Sequence, residues 1–425
     1  MTTKDLIIKY TRSTKIIFRM TKTPLVLLLL VVFGGALIIY QTNYVDGSYA
    51  KAVYTVLSLS SFGDWRNFPL DDKLMQIMYF VIPILGLTGG IGLVKEMLDS
   101  SMSMKKRTQD WEIRLASMTK NPIIICGLGS IGTQVVRRLI TDGHRWNLVI
   151  IHNDHNQPAV FEFKKAGIPI IIGDMTTRLT LEQANVQNAQ TIILATENDD
   201  VHFRTLIQLN EIFKDQKRPN VKGPKYLNVI FNIFDSRVFE LINSYKASES
   251  INLNLYPVNL SNEFALSFCK IIKDNNISSV AKYVICGLGR VGFQIVKTLN
   301  EEGVDLHNIT VIDYNLSNNI FKKRDLIKKI PDDNLKEMDV VDFLSITQNT
   351  FDVCIITTGD DLSNLIYENN YKKEALNIVR ERKGLNFSQT KKEETTERNK
   401  TFWVNTADTA GKKIIQTFNE KCGQN

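Results

Sequence analysis

The sequence lacks closely spaced cysteines and has few histidines. Five cysteines and five histidines occur in 425 residues, and no cysteine falls in a Cys-x-x-Cys or Cys/His ligand spacing. This spacing argues against a disulfide framework and against a structural zinc site. We interpret the thiols as reduced and mostly buried, in a reducing compartment. They are Cys126, Cys269, Cys286, Cys354 and Cys422.

The chain also lacks a strong charge imbalance. Its formal net charge is +7, and 23% of its residues are charged. This charge is mild for the length of the chain, so we expect no nucleic-acid partner. The length itself exceeds that of one ordinary hydrophobic core and predicts two or three domains.

Charged residues are missing from two long apolar segments, residues 24–40 and 74–94. Each segment is close to the length that spans a hydrocarbon core of about 30 Å as a helix. A secretory signal peptide is the alternative for the first segment. However, the segment is longer than a usual signal core, and no small-x-small cleavage site follows it. The second segment contains Pro83 and four glycines, which favour a bent or closely packed membrane helix.

Basic residues flank the two apolar segments on their outer sides. Six lysines and arginines precede the first segment, and a basic cluster follows the second, whereas residues 41–73 carry three basic residues and four aspartates. By the positive-inside rule, both termini are cytoplasmic and the connecting segment is external. We therefore predict a multi-pass protein of the cell (inner) membrane, with a cytoplasmic N-terminus over residues 1–23.

The external segment predicts a pore loop over residues 48–64. Its first part can form a short helix with one apolar face, and this helix runs directly into a Phe-Gly-Asp sequence. Irregular backbone at membrane depth is tolerated only where it lines a water-filled path, and its carbonyl oxygens there can replace the water around an ion. The predicted ion-conducting residues are Leu59, Ser60, Ser61, Phe62, Gly63 and Asp64.

A Gly-x-Gly-x-x-Gly motif occurs twice, at positions 160 residues apart. The glycines are Gly127, Gly129 and Gly132 in the first copy and Gly287, Gly289 and Gly292 in the second. Each copy follows an apolar, β-rich run and precedes an amphipathic helix, and this repeated context predicts two Rossmann-like units. In such units the glycines permit a tight turn, the approach of a phosphate, and close helix packing. The phosphate binds at the helix N-terminus.

The residue that ends the second strand differs between the two copies. The second copy has Asp313, which is well placed for ribose hydroxyls, and the first has His152, with Asp154 two residues later. We therefore expect a nucleotide more readily in the second unit. A glycine turn that serves packing alone is the alternative in both units. Asp174 and Arg290 complete the predicted cofactor-binding set.

The order of these features resembles that of the prokaryotic two-transmembrane-helix potassium channels gated by RCK domains (regulators of K⁺ conductance, TrkA-N-like). The filter of that family reads T-V-G-[YF]-G-D, which this chain matches at its last three positions. Leu59 lacks the threonine hydroxyl, and Ser61 replaces a glycine that has a positive φ. A non-selective cation pore is therefore an open alternative to potassium selectivity.

The resemblance implies a ligand-gated homotetrameric cation channel that conducts K⁺, with NAD(H) or an adenine nucleotide as the regulatory ligand. It also implies a gating hinge at Gly86, for which helix packing through a small residue is the alternative. Residues 263–272 resemble the helix that crosses between such domains and dimerises them. Asn232 and Phe234 stand where calcium-gated relatives carry glutamates, so we expect no calcium site, and no other metal site is predicted.

The predicted architecture is an α-helical membrane pore module over 24–94, a linker over 95–120, and two α/β Rossmann-like RCK domains with parallel sheets. The RCK domains are predicted over 121–280 and 281–425. A non-conducting regulatory subunit is an alternative function. A membrane-anchored NAD-dependent oxidoreductase is less favoured, because it leaves the pore loop unexplained and needs a substrate domain that the sequence does not show. We therefore expect no enzymatic activity.

Overall fold

The computed structural model describes most of the chain: residues 3–41, 48–60, 72–106, 109–214, 227–233, 239, 253–340, 342–343, 351–358, 376–381 and 401–422. The chain divides into two compact units, Met1–Leu115 and Ala116–Asn425. Four of the predicted pore residues lie outside the described residues, as does Phe234. The four are Ser61, Phe62, Gly63 and Asp64.

The N-terminal unit is helical. Its helices are α1 (Thr3–Leu29), a π-helical turn (Leu30–Gly34), α2 (Gly35–Gln41), α3 (Tyr49–Ser60) and α4 (Lys73–Lys106), and α5 (Gln109–Ser117) follows them. The second apolar segment therefore belongs to a helix that continues without a break into the predicted linker. The Tyr49 hydroxyl donates a hydrogen bond of 3.1 Å to the Phe33 carbonyl oxygen in the π-helical turn.

Two helical stretches of this unit are long and apolar enough to cross a membrane, judged by length and composition. They are Thr21–Gln41, with a mean hydropathy of 2.5, and Lys73–Gly92, with a mean hydropathy of 1.8. Large apolar side chains on both stretches lie on the surface of the unit, among them Leu30, Phe80 and Ile84, each more than 60% exposed. Contiguous apolar surface of this kind requires a membrane or another protein to cover it.

The first α/β domain contains a six-stranded parallel sheet. Its strands are β1 (Ile123–Cys126), β2 (Leu148–His152), β3 (Ile170–Ile172), β4 (Thr191–Leu194), β5 (Leu227–Ile233) and β6 (Leu253–Asn259), in the order β3-β2-β1-β4-β5-β6. The helices are α6 (Ser130–Thr141), α7 (Pro158–Lys165), α8 (Arg178–Gln183), α9 (Asp199–Lys214) and α10 (Leu260–Asp274). The isoleucine-rich central strands are buried along their whole length, as parallel sheets covered by helices require.

The second α/β domain repeats this topology. Its strands are β7 (Tyr283–Cys286), β8 (Ile309–Asp313), β9 (Leu335–Glu337), β10 (Val353–Ile356), β11 (Leu376–Glu381) and β12 (Thr401–Asn405), in the order β12-β11-β10-β7-β8-β9. Two of its helices are α11 (Arg290–Glu301) and α12 (Thr406–Lys421). The prediction of two Rossmann-like domains with parallel sheets is confirmed.

The two α/β domains exchange their last helices. Helix α10 leaves β6 of the first domain and packs on α11 of the second, whereas α12 leaves β12 and packs on α6 of the first. Both helices begin at an asparagine cap: Asn259 accepts a hydrogen bond from the Asn262 N–H, and Asn405 accepts one from the Asp408 N–H. Buried residues of both domains consequently share one large hydrophobic core. The predicted crossing helix lies within α10 and joins two domains of the same chain.

Candidate functional site

The glycine loop between β1 and α6 is a turn that only glycine can form at two of its positions. Gly127 has a φ of +99°, and its N–H donates to the Ile151 carbonyl oxygen at 2.9 Å. A Cβ at Gly132 would lie 1.9 Å from the Gly127 carbonyl oxygen, so any side chain there is excluded. The loop is therefore fixed against the neighbouring strand and against its own helix.

Gly129 has a different role in the same loop. Its backbone is in the extended region, which any residue can adopt, and a Cβ at this position would have no atom within 4 Å. Gly129 is also the N-cap of α6, and no side chain accepts a hydrogen bond there from the first-turn N–H groups. The absent side chain thus leaves open space beside the helix N-terminus, where an anion is favoured by the amides and the helix dipole.

A cavity of about 1010 Å³ lies at the carboxyl end of this sheet. Its wall includes Gly129 and Ser130 from the loop, His152 at the end of β2, Asp174 after β3, and Thr196 after β4. This is the edge at which open parallel sheets bind their ligands. The cavity is large enough for a dinucleotide, since ligand pockets commonly measure about 300–1,000 Å³.

His152 occupies the same structural position as Asp313 of the second domain. The Leu128 N–H donates to His152 Nδ1 at 3.3 Å, and the Leu288 N–H donates to Asp313 Oδ2 at 2.8 Å. Because Nδ1 is an acceptor in this bond, the ring proton is on Nε2. Burial lowers the pKa of His152, with partial offsets from Gln157 and Asp154, so the imidazole is neutral at pH 7.

Side chains beside the two loops also correspond. The Gln157 carboxamide donates to the Leu128 carbonyl oxygen at 2.6 Å, and the Asn319 carboxamide donates to the Leu288 carbonyl oxygen at 3.0 Å. The residue after the third glycine differs: it is Thr133 in the first domain, whose hydroxyl also donates to the Leu128 carbonyl oxygen at 3.1 Å. The two domains therefore hold their loops with similar bonds and differ in the neighbouring side chain.

In the second domain the residue after the third glycine is Phe293. Its ring stacks on Phe321, with centroids 5.2 Å apart, and the Arg324 guanidinium lies 5.9 Å from the same ring centroid. Phe321 belongs to the segment between β8 and β9, so the chain itself covers this part of the second domain. In the first domain the corresponding Thr133 lines the cavity.

The cavity wall after β4 is supported by a buried polar network. His202 Nδ1 donates to the Asn232 carbonyl oxygen at 2.9 Å, and the Thr196 hydroxyl donates to His202 Nε2 at 2.7 Å. The Asn232 carboxamide completes the network by donating to the Thr196 carbonyl oxygen at 2.7 Å. Burial lowers the pKa of His202 to about 4, so the ring is neutral and its tautomer is fixed. Asn232 therefore positions Thr196 within the wall.

Comparison with protein families matches a TrkA-N domain to residues 123–222 and again to residues 283–381. The chain carries two TrkA-N domains. Among curated proteins, it is 32% identical over 89 residues to a Trk system potassium uptake protein TrkA homolog of Methanothermobacter thermautotrophicus, and 35% identical over 85 residues to one of Pyrococcus abyssi. These matches cover 21% and 20% of this chain and 40% and 36% of those proteins.

Solved channel structures share the fold over nearly the whole chain. The GsuK channel gives a TM-score of 0.58 at 16% identity, covering 95% of this chain and 98% of that chain. GsuK bound to ADP gives 0.55 at 15% identity, covering 94% and 98%, and GsuK bound to NAD gives 0.53 at 13% identity, covering 96% and 84%. At these identities the likeness establishes the fold, and the predicted resemblance to RCK-gated channels is confirmed at that level.

The other predicted residues of the TrkA-N domains have definite places. Asp174 lines the first cavity, and its carboxylate accepts from the Thr176 N–H at 2.8 Å. Asp154 closes the turn after β2 by accepting from the Asn156 N–H at 2.9 Å. In the second TrkA-N domain, Arg290 is the first residue of α11, and Asp313 also accepts from the Asn315 N–H at 3.0 Å. Their roles in ligand binding stay predictions.

Several cavity residues of the first TrkA-N domain were not predicted from the sequence, among them Arg137, Gln157 and Thr196. Arg137 lies on α6 and forms an ion pair with Glu162 of α7, with 2.9 Å between the charged atoms. This pair is half-exposed and stabilises the domain little. Thr196 directly follows β4, so the rule that ligands bind at the carboxyl ends of parallel strands could have identified it.

In the helical unit, Gly86 lies against the end of α3. A Cβ at Gly86 would lie 2.6 Å from Ser60 Cβ and 3.1 Å from Ser60 Cα. Leu59 is buried, and the Ser60 hydroxyl donates to the Val56 carbonyl oxygen at 2.7 Å. Gly86 therefore permits α4 to approach the C-terminal end of α3, as in the packing alternative. Its role as a gating hinge stays a prediction.

Proposed function

We propose that this chain is the subunit of a tetrameric, nucleotide-gated cation channel of the cell (inner) membrane that conducts K⁺. The observation that carries the proposal is the combination found in one chain. A helical unit presents two long apolar helices with a short helix between them, and the same chain carries two TrkA-N domains, the first with a glycine loop that lines a cavity. The fold it shares with the GsuK channel over 95% of the chain supports this function.

The helical unit supports a role as one part of a pore. Its exposed leucine, isoleucine and phenylalanine side chains fit a lipid environment, and Gly86 allows α3 to sit close against α4. Two helices cannot enclose a water-filled path by themselves, so the pore requires several subunits. The positive-inside pattern supports a cytoplasmic location for both termini.

We place the regulatory ligand, an adenine nucleotide or NAD(H), in the cavity of the first TrkA-N domain. Its residues fit a nucleotide, because Gly129 leaves a space beside the uncapped N-terminus of α6 that a Cβ would occupy. The first-turn amides and Ser130 would hold the phosphates, and His152 and Asn153 would face the sugar. GsuK structures bound to ADP and to NAD support this class of ligand.

Gating then requires that the ligand bind the open and closed states with different affinity. Helix α4 continues from the membrane segment to Lys106, which makes it the element that can carry a movement towards the pore. Gly86 lies on the same helix. A tetramer of such chains would contain eight TrkA-N domains.

The test is ion flux through the purified full-length protein in liposomes, with K⁺, Na⁺ and Cs⁺ compared in the presence and absence of ADP and NAD. We expect K⁺ flux whose rate changes with nucleotide. Flux without ion preference would assign the pore to the non-selective class and make Leu59 and Ser61 the residues to restore to threonine and glycine. The absence of flux for every ion and ligand would contradict the channel function.

A non-conducting regulatory subunit is the second candidate, and Leu59 is the residue that favours it. Leu59 is buried and brings no hydroxyl to the start of the filter sequence. Nucleotide binding without flux would support this candidate. Hydride transfer from NADH to an acceptor would instead support an oxidoreductase.

A further inference from the structure

The residue at the end of the second strand, which would face the sugar of a bound nucleotide, differs in chemistry between the two TrkA-N domains. Asp313 is a carboxylate with two oxygens, each of which can accept further hydrogen bonds beyond those it receives from the Leu288 and Asn315 N–H groups. A ribose has two vicinal hydroxyls that donate to such a carboxylate, and this is how Rossmann domains commonly select a ribose.

His152 offers the sugar no such acceptor. Its Nδ1 is already used by the Leu128 N–H, and its Nε2 carries the ring proton. The ring is neutral because burial lowers its pKa more than Gln157 and Asp154 raise it. The Nε2 atom is itself buried. The ribose hydroxyls therefore find no acceptor on His152, where a carboxylate would give a charge-assisted hydrogen bond.

The neighbouring carboxylates do not lie at the end of β2, where Rossmann domains hold the ribose, and one of them, Glu197, follows β4. Asp154 lies in the turn after β2, where its Oδ1 accepts from the Asn156 N–H. Glu162 is engaged with Arg137 across α6 and α7. Asp174 follows β3, the strand beyond β2, and its Oδ1 accepts from the Thr176 N–H.

The phosphate side of the cavity, by contrast, is complete. Gly127 and Gly132 fix the loop, Gly129 leaves its space open, and α6 presents first-turn amides without a side-chain cap. We propose, on the basis of the nucleotide-binding function proposed above, that the first TrkA-N domain selects its ligand by phosphate and does not discriminate at the 2′-position of the sugar. His152 is the specificity-determining residue for this property.

The test is calorimetric titration of the full-length protein in detergent with ADP and with 2′-deoxy-ADP. We expect the two dissociation constants to agree within about threefold, because no charged acceptor reads the 2′-hydroxyl. In the His152→Asp variant, which copies the second domain, we expect 2′-deoxy-ADP to bind at least about tenfold more weakly than ADP, since a hydrogen bond to a charged group is gained only by the ribose.

The matched control is Asp313→His in the second domain, which is expected to leave the ratio of the two dissociation constants unchanged. Rejection of 2′-deoxy-ADP by more than tenfold in the unaltered protein would overturn the inference while leaving nucleotide binding intact. A ratio that responds to Asp313→His and not to His152→Asp would place the ligand in the other domain and also overturn it.

Failure of ADP to bind at all would contradict the proposed nucleotide function itself. If His152→Asp does not fold, the unaltered protein and the neutral variant His152→Asn, expected to keep the ratio within about threefold, decide the question.

Discussion

The two TrkA-N domains of this chain have the same backbone plan and use it differently. At the positions after the second and third glycines, the first domain has Ser130 and Thr133, which line a cavity, and the second has Arg290 and Phe293. Phe293 stacks on Phe321 of its own domain. A repeated motif thus preserves the turn that glycine makes possible, while the side chains around it line a cavity in the first domain and pack on one another in the second.

The largest effect is expected on the stability of both domains, when the third glycine of either loop is replaced. Replacing Gly132 or Gly292 with alanine would place a Cβ within 2.0 Å of the carbonyl oxygen of the first glycine of the loop. Since neither backbone can shift without losing its strand or helix contacts, we expect each variant to lower the free energy of unfolding by more than about 3 kcal/mol. Yield and thermal melting of the full-length protein measure this effect. Equal melting of Gly132→Ala and the unaltered protein would contradict the structure of the loop.

The next prediction tests which of the two domains binds the nucleotide. Gly129→Val and Gly289→Val both introduce side chains into open space on extended backbone, so both are expected to fold and to melt within a few degrees of the unaltered protein. Only Gly129→Val is expected to weaken ADP binding, by at least about tenfold, because its side chain would enter the cavity in which we place the nucleotide, whereas Phe293 stacks on Phe321 beside the second loop. Titration with ADP measures the difference. A loss with Gly289→Val alone would move the ligand to the second domain, as the sequence with Asp313 predicts.

A third prediction concerns the ring of Phe293, which packs on Phe321 beside the glycine loop of the second domain. Phe293→Thr copies the first domain and removes the ring that stacks on Phe321. We expect a loss of about 1–3 kcal/mol in the free energy of unfolding, because the half-buried ring gives up both its apolar contact and its stacking. The reverse change, Thr133→Phe, is expected to leave the stability nearly unchanged and to weaken ADP binding. An equal loss of stability in both variants would show that the two positions are equivalent.

The sequence predicted the frame of both domains because glycine positions, apolar strands and helix periodicity are local signals. It did not predict the packing of Phe293 on Phe321, since Phe321 lies in a segment of turns between β8 and β9 that has no regular periodicity. The acidic residue at Asp313 favoured the second domain, whereas the cavity described here belongs to the first. Helix α10 was predicted, but an apolar helix face does not identify its partner, and the return of α12 to α6 was not foreseen.

The smallest effect is expected at two ion pairs that the exchanged helices form. Arg138 of α6 pairs with Asp408 of α12, and Lys413 of α12 pairs with Glu263 of α10 at 3.0 Å. All four side chains are about a quarter to a third exposed. Double-mutant cycles with alanine are therefore expected to give about 0.5–1 kcal/mol for each pair. A coupling of zero at Arg138–Asp408 would show that apolar packing alone holds α12 on the first domain.

Acidic pH is expected to weaken the first of these pairs. Burial opposes the charged form of Asp408, but Lys412 and Arg138 outweigh it and keep the pKa below the usual value for aspartate. A carboxylate with a lowered pKa in the folded state adds stability that is present above the unfolded pKa and is lost as the pH falls through the folded one. The stability difference between the unaltered protein and Asp408→Asn should therefore shrink below about pH 4. Thermal melting over this pH range measures it.

The exchanged helix α12 also sets an order of events during synthesis. The face of α6 that α12 covers is made early, but α12 itself begins at Thr406. At about 5–20 residues per second, a ribosome needs on the order of tens of seconds to complete the intervening chain. During that interval the first domain exposes part of its core to solvent, so we expect the newly made chain to need protection from aggregation until its last helix is made.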